Sequence, residues 1–291
     1  MEEKTRKVVK EYLIRATEEI KKTASLGGGK KVLGETINRP EDLEIAIDRV
    51  GEEVLADILK KYQVEATVFS EPENRDIKNG NHIYGAIDPF DGSMLFLRDI
   101  PHNWYTVLSF FDKDGSPLVC GVADILNNKY YLTEEDGNYA VFGDQKKKIF
   151  PSKRKSLKDS IVLASYIMSS EYSPKFLDFF GDLVKNLHPK ALFYPHGGSY
   201  IYAFLAAGLV DAYVMFEEPR SEIDPGFFMA KRAGCEIVSV NSDGSFEDYN
   251  FIPGRQHDKV ELLIAASNSE IRDELIKFYV KQYERKFSIG S

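Results

Sequence analysis

Cysteine is nearly absent from this chain: Cys120 and Cys235 are the only two, and each sits inside an apolar stretch. Two such thiols offer neither a disulfide framework nor a zinc spacing, so both are read as buried and reduced. Long apolar runs are missing as well, and none approaches the roughly 20 residues that span a bilayer. The N-terminus, MEEKTRKVVKEYLIRATEEIKK, is charged throughout and has no signal-peptide core. A cytoplasmic protein without a membrane partner is expected. Basic excess is lacking too: acids outnumber Lys and Arg by 46 to 38, for a formal net charge of −8. That speaks against nucleic acid as the partner, which usually calls for a basic face. An anionic small molecule stays open, because a bound metal reverses the local sign.

What is present reads as ordinary globular sequence, 43% hydrophobic and 29% charged over 291 residues, enough for one large domain or two of common size. Val9, Leu13, Ala16 and Ile20 recur at helical spacing, and Gly27-Gly28-Gly29 ends that helix. The glycine run lacks the frame of a phosphate-binding P-loop, so it reads as a flexible loop. A second helix buries Ile47, Val50, Val54, Leu55, Ile58 and Leu59. Strands are expected at 64–69 and 82–87, then a meander over 104–111, 118–125 and 129–133 with turns at Asp114-Gly115, Asn127-Asn128 and Asp136-Gly137. Residues 144–158 are basic and read as a solvated connection or an anion-binding patch. They mark a boundary between a part spanning 1–150, helices plus a largely antiparallel sheet, and a part spanning 151–291 in which strands and helices alternate. In the second part a helix from Pro225 to Ala233 is closed by Gly234, and Ser267-Asn268-Ser269-Glu270 caps the last helix.

The most informative stretch is Tyr84-Gly85-Ala86-Ile87-Asp88-Pro89-Phe90-Asp91-Gly92-Ser93. A strand ends in a carboxylate, turns through proline, presents a second carboxylate, and then offers glycine and serine. Asp88 and Asp91 can face one point and supply hard oxygen ligands for Mg²⁺. Gly92 permits close backbone approach, and a helix beginning at Ser93 turns free N–H groups towards a phosphate. The bland alternative is a decorated turn, since the same residue types are the commonest in turns. Spacing excludes an EF-hand loop. It also excludes the Asp-x-Asp nucleophile of haloacid-dehalogenase-type enzymes. Glu71, in Ser70-Glu71-Pro72, ends the preceding strand and comes beside Asp88 if those strands are neighbours. Asp224, before Pro225, is a further acid or simply an N-cap.

Taken together, Glu71, Asp88-Pro89-Phe90-Asp91-Gly92-Ser93 and Ile223-Asp224 resemble the inositol monophosphatase family, which includes archaeal-type fructose-1,6-bisphosphatases and 3′-phosphonucleotide phosphatases. The likeness continues in 121–143, in Gly198–Tyr213 with Ala206-Ala207-Gly208-Leu209-Val210-Asp211-Ala212-Tyr213, and in Ala265-Ala266-Ser267-Asn268. It implies a mixed α+β and α/β fold, a layered αβαβα sandwich. It implies that Glu71, Asp88, Asp91, Asp224 and the Phe90 carbonyl hold two or three Mg²⁺, for which Mn²⁺ substitutes. Asp48 then sits near the attacking water with Ser93 as its hydroxyl partner. Gly92, Ser93, Glu217, Arg220 and His196 are the substrate-side candidates. Arg220 reads either as a solvated side chain or as a second-phosphate contact, and His196 either as a substrate contact or as a plain loop residue.

Departures cluster at the substrate rim. Leu95 replaces an asparagine, tryptophan is missing from both motifs, Gly226-Phe227-Phe228 replaces small residues, and Glu217–Glu222 is about two residues longer than usual. The expected activity is Mg²⁺-dependent hydrolysis of the phosphate monoester of a small polyol or sugar, with inositol-1-phosphate first. Fructose-1,6-bisphosphatase or a bifunctional enzyme comes next, then a 3′-phosphonucleotide phosphatase. The non-enzyme alternative is an inactive metal- or anion-binding homologue. A homodimer is the expected assembly.

Overall fold

Val8, Val9, Tyr12, Leu13, Ala16 and Ile20 form one buried stripe of helix α1 (Glu2–Ser25). Burying each Val, Leu or Ile is worth about 1.5–3 kcal/mol, so packing rather than helix propensity holds α1 in place. The computed structural model describes residues 2–35, 43–70, 77–78, 83–168 and 172–287. The chain divides into two compact units. The first is Met1–Lys148 with Pro219–Met229 and Phe251–Asp258, and the second is Ile149–Glu218 with Ala230–Asn250 and Lys259–Ser291.

In the first unit α1 is followed by β1 (Val32–Glu35), β2 (Leu43–Ile45), α2 (Ala46–Tyr62), β3 (Ala66–Phe69), β4 (Ile77–Lys78), β5 (Ile83–Asp91) and α3 (Ser93–Leu97). Strands β6 (Tyr105–Asp112), β7 (Pro117–Asp124), β8 (Lys129–Glu134), β9 (Gly137–Phe142) and β10 (Gln145–Lys148) complete it. Eight strands form one sheet in the order β10-β9-β8-β7-β6-β5-β3-β4. All its pairs are antiparallel except β3 with β5. The apolar faces of α1 and α2 share one core with residues of β3, β5, β6 and β7.

The basic stretch 144–158 is not wholly a solvated connection, for Gln145–Lys148 pairs with β9 as an edge strand. Its lysines suit that place: Lys146 reaches Glu134 at 2.5 Å, Lys148 reaches Asp136 at 3.3 Å, and such charges deter further strand pairing.

The second unit opens with β11 (Val162–Ala164), α4 (Ser173–Lys185), β12 (Leu192–Tyr194), α5 (Ile201–Ala206) and β13 (Ala212–Pro219). The chain then passes into the first unit through α6 (Arg220–Ile223) and the opening of α7 (Phe227–Ala233). It finishes with β14 (Glu236–Val240), β15 (Phe246–Asp248), β16 (Lys259–Ala266) and α8 (Ser269–Phe287). Six strands form this unit's sheet in the order β12-β11-β13-β16-β14-β15. The cap of α8 is Asn268, whose side chain accepts from the Ile271 N–H at 3.1 Å.

Asp224 departs from expectation twice. It belongs to the first unit rather than to a C-terminal part. It is also not an N-cap: α7 begins three residues later, and Asp224 instead closes α6, its N–H donating to the Arg220 carbonyl at 2.7 Å. Both cysteines are free and buried, and burial pushes each thiol up to about 12.

Candidate metal centre

In a regular strand Asp88 and Asp91, three residues apart, would point to opposite faces. The structure solves this with a bulge rather than the turn that the sequence suggests. Strand β5 runs on to Asp91, with Asp88 opposite Val107 and Asp91 opposite Tyr105. Three residues of β5 therefore match two of β6, and the extra residue brings both carboxylates to one side. Pro89, with no N–H to give to the ladder, fits the bulge. Phe90 anchors it from beneath, 2% exposed, with its ring edge-on to Phe96 and Trp104.

Helix α2 brings the next side chain. Gly51 lies against the bulge so closely that a Cβ there would stand 2.9 Å from Pro89 Cβ and 3.0 Å from its carbonyl oxygen. One turn earlier, Asp48 is buried and divides its two oxygens between jobs. One accepts the N–H of Ile45 at 2.8 Å, tying down the start of α2, and the other lies 2.9 Å from the Ser93 hydroxyl. Ser93 Oγ is also 2.9 Å from the Phe90 carbonyl. A hydroxyl has one proton, so Ser93 is poised between Asp48 and Phe90.

The third carboxylate is one that sequence reading missed. Asp88, Asp91 and Glu222 each present an oxygen, and these oxygens lie within 4.8 Å of one another. Asp88 and Glu222 are each 7% exposed. Like charges at that separation repel by at least about 3.5 kcal/mol per pair at an effective dielectric of 20, so a cation among them would be favoured. All the donors are hard oxygens, as Mg²⁺ or Ca²⁺ prefers, and the residues fit such an ion. Glu222 sits on α6, inside the long segment taken for substrate rim. The available signal was its spacing, two residues before Asp224 on a short helix.

Behind the carboxylates lies a buried polar layer. Thr106 Oγ1 donates to the Asp88 carbonyl at 3.2 Å, which leaves Tyr12 to donate to Thr106 at 2.6 Å. Burial pushes the Tyr12 phenol far above its usual range, so it stays neutral. Glu52, one turn beyond Asp48, accepts from Ser70 at 2.6 Å, and Ser70 directly precedes Glu71. Glu71 itself lies outside the described residues.

Gly92 links the centre to a histidine. It begins α3 at φ 120°, and a Cβ there would collide with His102 Nε2 and stand 3.1 Å from Cδ2 and Cε1. His102, which no motif marked, thus covers the loop between Asp91 and Ser93.

The remaining candidates are taken one by one. Asp224 is 1% exposed and is not part of the converging group among the described residues. Arg220 is not a solvated side chain: it is 11% exposed, with Nε 4.0 Å from Asp224 Oδ2. Glu217, in the second unit, has a left-handed φ of 53° and pairs with Lys175. His196, also in that unit, lies with its ring 5.2 Å from Tyr194, and burial lowers its pKa. No helix among the described residues is long and apolar enough to cross a membrane.

Proteins of similar sequence and of similar fold are known. The Nus factor SuhB of Pasteurella multocida (strain Pm70) is 22% identical over 213 residues, 72% of this chain and 77% of its own. Among solved structures, the extragenic suppressor protein suhB from Bartonella henselae superposes with a TM-score of 0.71 at 18% identity, covering 94% of this chain and 98% of that one. The MJ0109 gene product, an inositol monophosphatase-fructose 1,6 bisphosphatase, gives 0.70 at 19% identity, covering 96% and 98%. The layered α/β fold of mixed sheets and helices is shared with these structures. The model of the inositol monophosphatase family matches residues 1–281, so that nearly the whole chain, acidic centre included, belongs to that family of phosphatases.

Proposed function

We propose that the chain is a Mg²⁺-dependent hydrolase of the phosphate monoester of a small polyol or sugar, with inositol-1-phosphate as its first substrate. The observation that carries this is the convergence of Asp88, Asp91 and Glu222 on one point beside the Ser93–Asp48 pair, in a chain of this family. Asp88, Asp91 and Glu222 would hold the ion, joined by Glu71 and the Phe90 carbonyl. Asp224, two residues beyond Glu222 and with Arg220 Nε 4.0 Å from its Oδ2, would add a further acid. A bound divalent ion supplies charge neutralisation at the phosphoryl group and eases deprotonation of a water.

The protein's own groups do the rest. Asp48, anchored by the Ile45 N–H, keeps its second oxygen on the Ser93 hydroxyl. Ser93 can thereby take a proton from an attacking water as its own proton passes to Asp48, which leaves a hydroxide, a neutral Ser93 and a protonated Asp48. The N–H groups of Gly92 and Ser93 receive phosphate oxygens as negative charge builds up. These steps need neither Glu217 nor His196.

The test is inorganic phosphate release from equal concentrations of inositol-1-phosphate, fructose-1,6-bisphosphate and 3′-phosphoadenosine 5′-phosphate with Mg²⁺ present. The highest kcat/KM is expected for inositol-1-phosphate. A preference for either other ester replaces the substrate while keeping the chemistry, and no release from any of them overturns the enzyme reading.

A further inference from the structure

We infer that the buried hydroxyls of Tyr12 and Thr106 are positioning groups for the metal ligands, setting the spacing of Asp88 and Asp91 from behind the bulge. The inference rests on the metal-binding reading of Asp88, Asp91 and Glu222. A bulge locally breaks the ladder of a sheet, so the bulged strand loses some of the bonds that would fix it. Here the break falls where two carboxylates that repel each other come to one side. Thr106 stands across from it: its neighbours Tyr105 and Val107 face Asp91 and Asp88, so Thr106 faces the residues between. Its hydroxyl donates to the Asp88 carbonyl at 3.2 Å, a side-chain bond at the point where the ladder is irregular.

Tyr12 completes the brace from helix α1. Its hydroxyl lies 2.6 Å from Thr106 Oγ1 and, since Thr106 gives its one proton to Asp88, Tyr12 is the donor. Both residues are 0% exposed, so water competes for neither bond. Position 12 belongs to an apolar stripe, with Val8, Val9, Leu13 and Ala16 for neighbours, where phenylalanine would serve packing as well. A phenol there is costly to bury unless its hydroxyl is bonded, and Thr106 is the partner it finds. The chain from Tyr12 through Thr106 thus ties helix α1 to the main chain of a metal ligand. Neither hydroxyl belongs to the converging group, so both act through Asp88.

The test is Mn²⁺ titration of the full chain without substrate, following free Mn²⁺ by electron paramagnetic resonance. Urea unfolding of the same proteins in metal-free buffer, followed by the fluorescence of Trp104, the single tryptophan, supplies the second readout. Thr106→Val keeps the shape and should weaken Mn²⁺ binding at least about tenfold, the low end of what losing a group that holds a metal ligand costs. Tyr12→Phe should weaken it at least about threefold, since Thr106 still holds Asp88. Stability should follow a different order. Thr106→Val strands the Tyr12 hydroxyl in the core and the double variant strands none, so the double variant's urea midpoint should lie above that of Thr106→Val. Its Mn²⁺ affinity should nonetheless stay as weak. Thr133→Val is the control, because that hydroxyl accepts the Cys120 N–H at 2.7 Å and donates to the Cys120 carbonyl at 3.2 Å, outside the brace. Its loss should lower the urea midpoint and leave the Kd within about twofold of wild type.

Mn²⁺ affinity that recovers together with stability in the double variant overturns the inference, because the hydroxyls then serve the fold alone. An unchanged Kd in Thr106→Val or in Tyr12→Phe does the same, and Tyr12→Phe decides the matter if Thr106→Val proves unfolded by circular dichroism. So does a weakening in Thr133→Val as large as in Thr106→Val. A wild type that binds no Mn²⁺ at all overturns both the inference and the metal-binding reading.

Discussion

Replacing Gly92 with alanine tests the loop that joins the acidic centre to Ser93. Two costs arise there. The residue sits at φ 120° and ψ 10°, where an L side chain is strained by about 1–3 kcal/mol. The new Cβ also drives into the His102 ring, whose Nδ1 is held 3.2 Å from the Ile100 carbonyl. Moving the ring gives up that bond, worth about 1 kcal/mol. Gly92→Ala should therefore destabilise the first unit by about 2–4 kcal/mol. In a His102→Ala background the collision disappears and only the backbone part remains, so the two changes should couple by about 1 kcal/mol. Urea unfolding of the four proteins, followed by Trp104 fluorescence, measures it, because Trp104 packs on Phe90 and Phe96 beside the loop. A cost below about 0.5 kcal/mol for Gly92→Ala, or the same cost in both backgrounds, would refute the reasoning.

Ser93→Ala should lower kcat at least about tenfold with little change in KM, because it removes only the hydroxyl between Asp48 and Phe90 and keeps the backbone N–H groups. Steady-state kinetics with wild-type turnover in this variant would mean that the water is oriented by something else. Glu222→Gln should weaken Mg²⁺ binding as well as turnover, since it removes one of three converging charges, and Asp91→Asn should do likewise. Mg²⁺ titration of activity checks both, and an unaltered Mg²⁺ requirement in Glu222→Gln would remove that residue from the centre.

Much of the first unit was legible because its signals are local. The stripe on α1 and the apolar face of α2 follow helical spacing, and the meander strands are separated by turn residues that occur where the structure has its turns. The pairing of Asp88 with Asp91 was legible from composition, but its cause was not. A bulge depends on register with β6, and no single strand carries that register in its own residues.

Glu222 and Arg220 were hidden for a similar reason. Their segment has no apolar periodicity, being a single turn of helix that backbone bonds to Gln256 and Asp258 hold in place. Charged residues in such a segment look solvated until those distant carbonyls are known. His102 could not be foreseen at all, because its link to the centre is the missing side chain of Gly92. The lysines of β10 misled in the opposite direction, since an edge strand and a solvated loop share one composition.

The central claim is that the carboxylates of the first unit work through a bound divalent cation. Phosphate release from inositol-1-phosphate after EDTA treatment and dialysis, followed by stepwise return of Mg²⁺, tests it most directly. Turnover should vanish with EDTA and return saturably with Mg²⁺, while Trp104 fluorescence changes over the same range. Full turnover in metal-free buffer would contradict it.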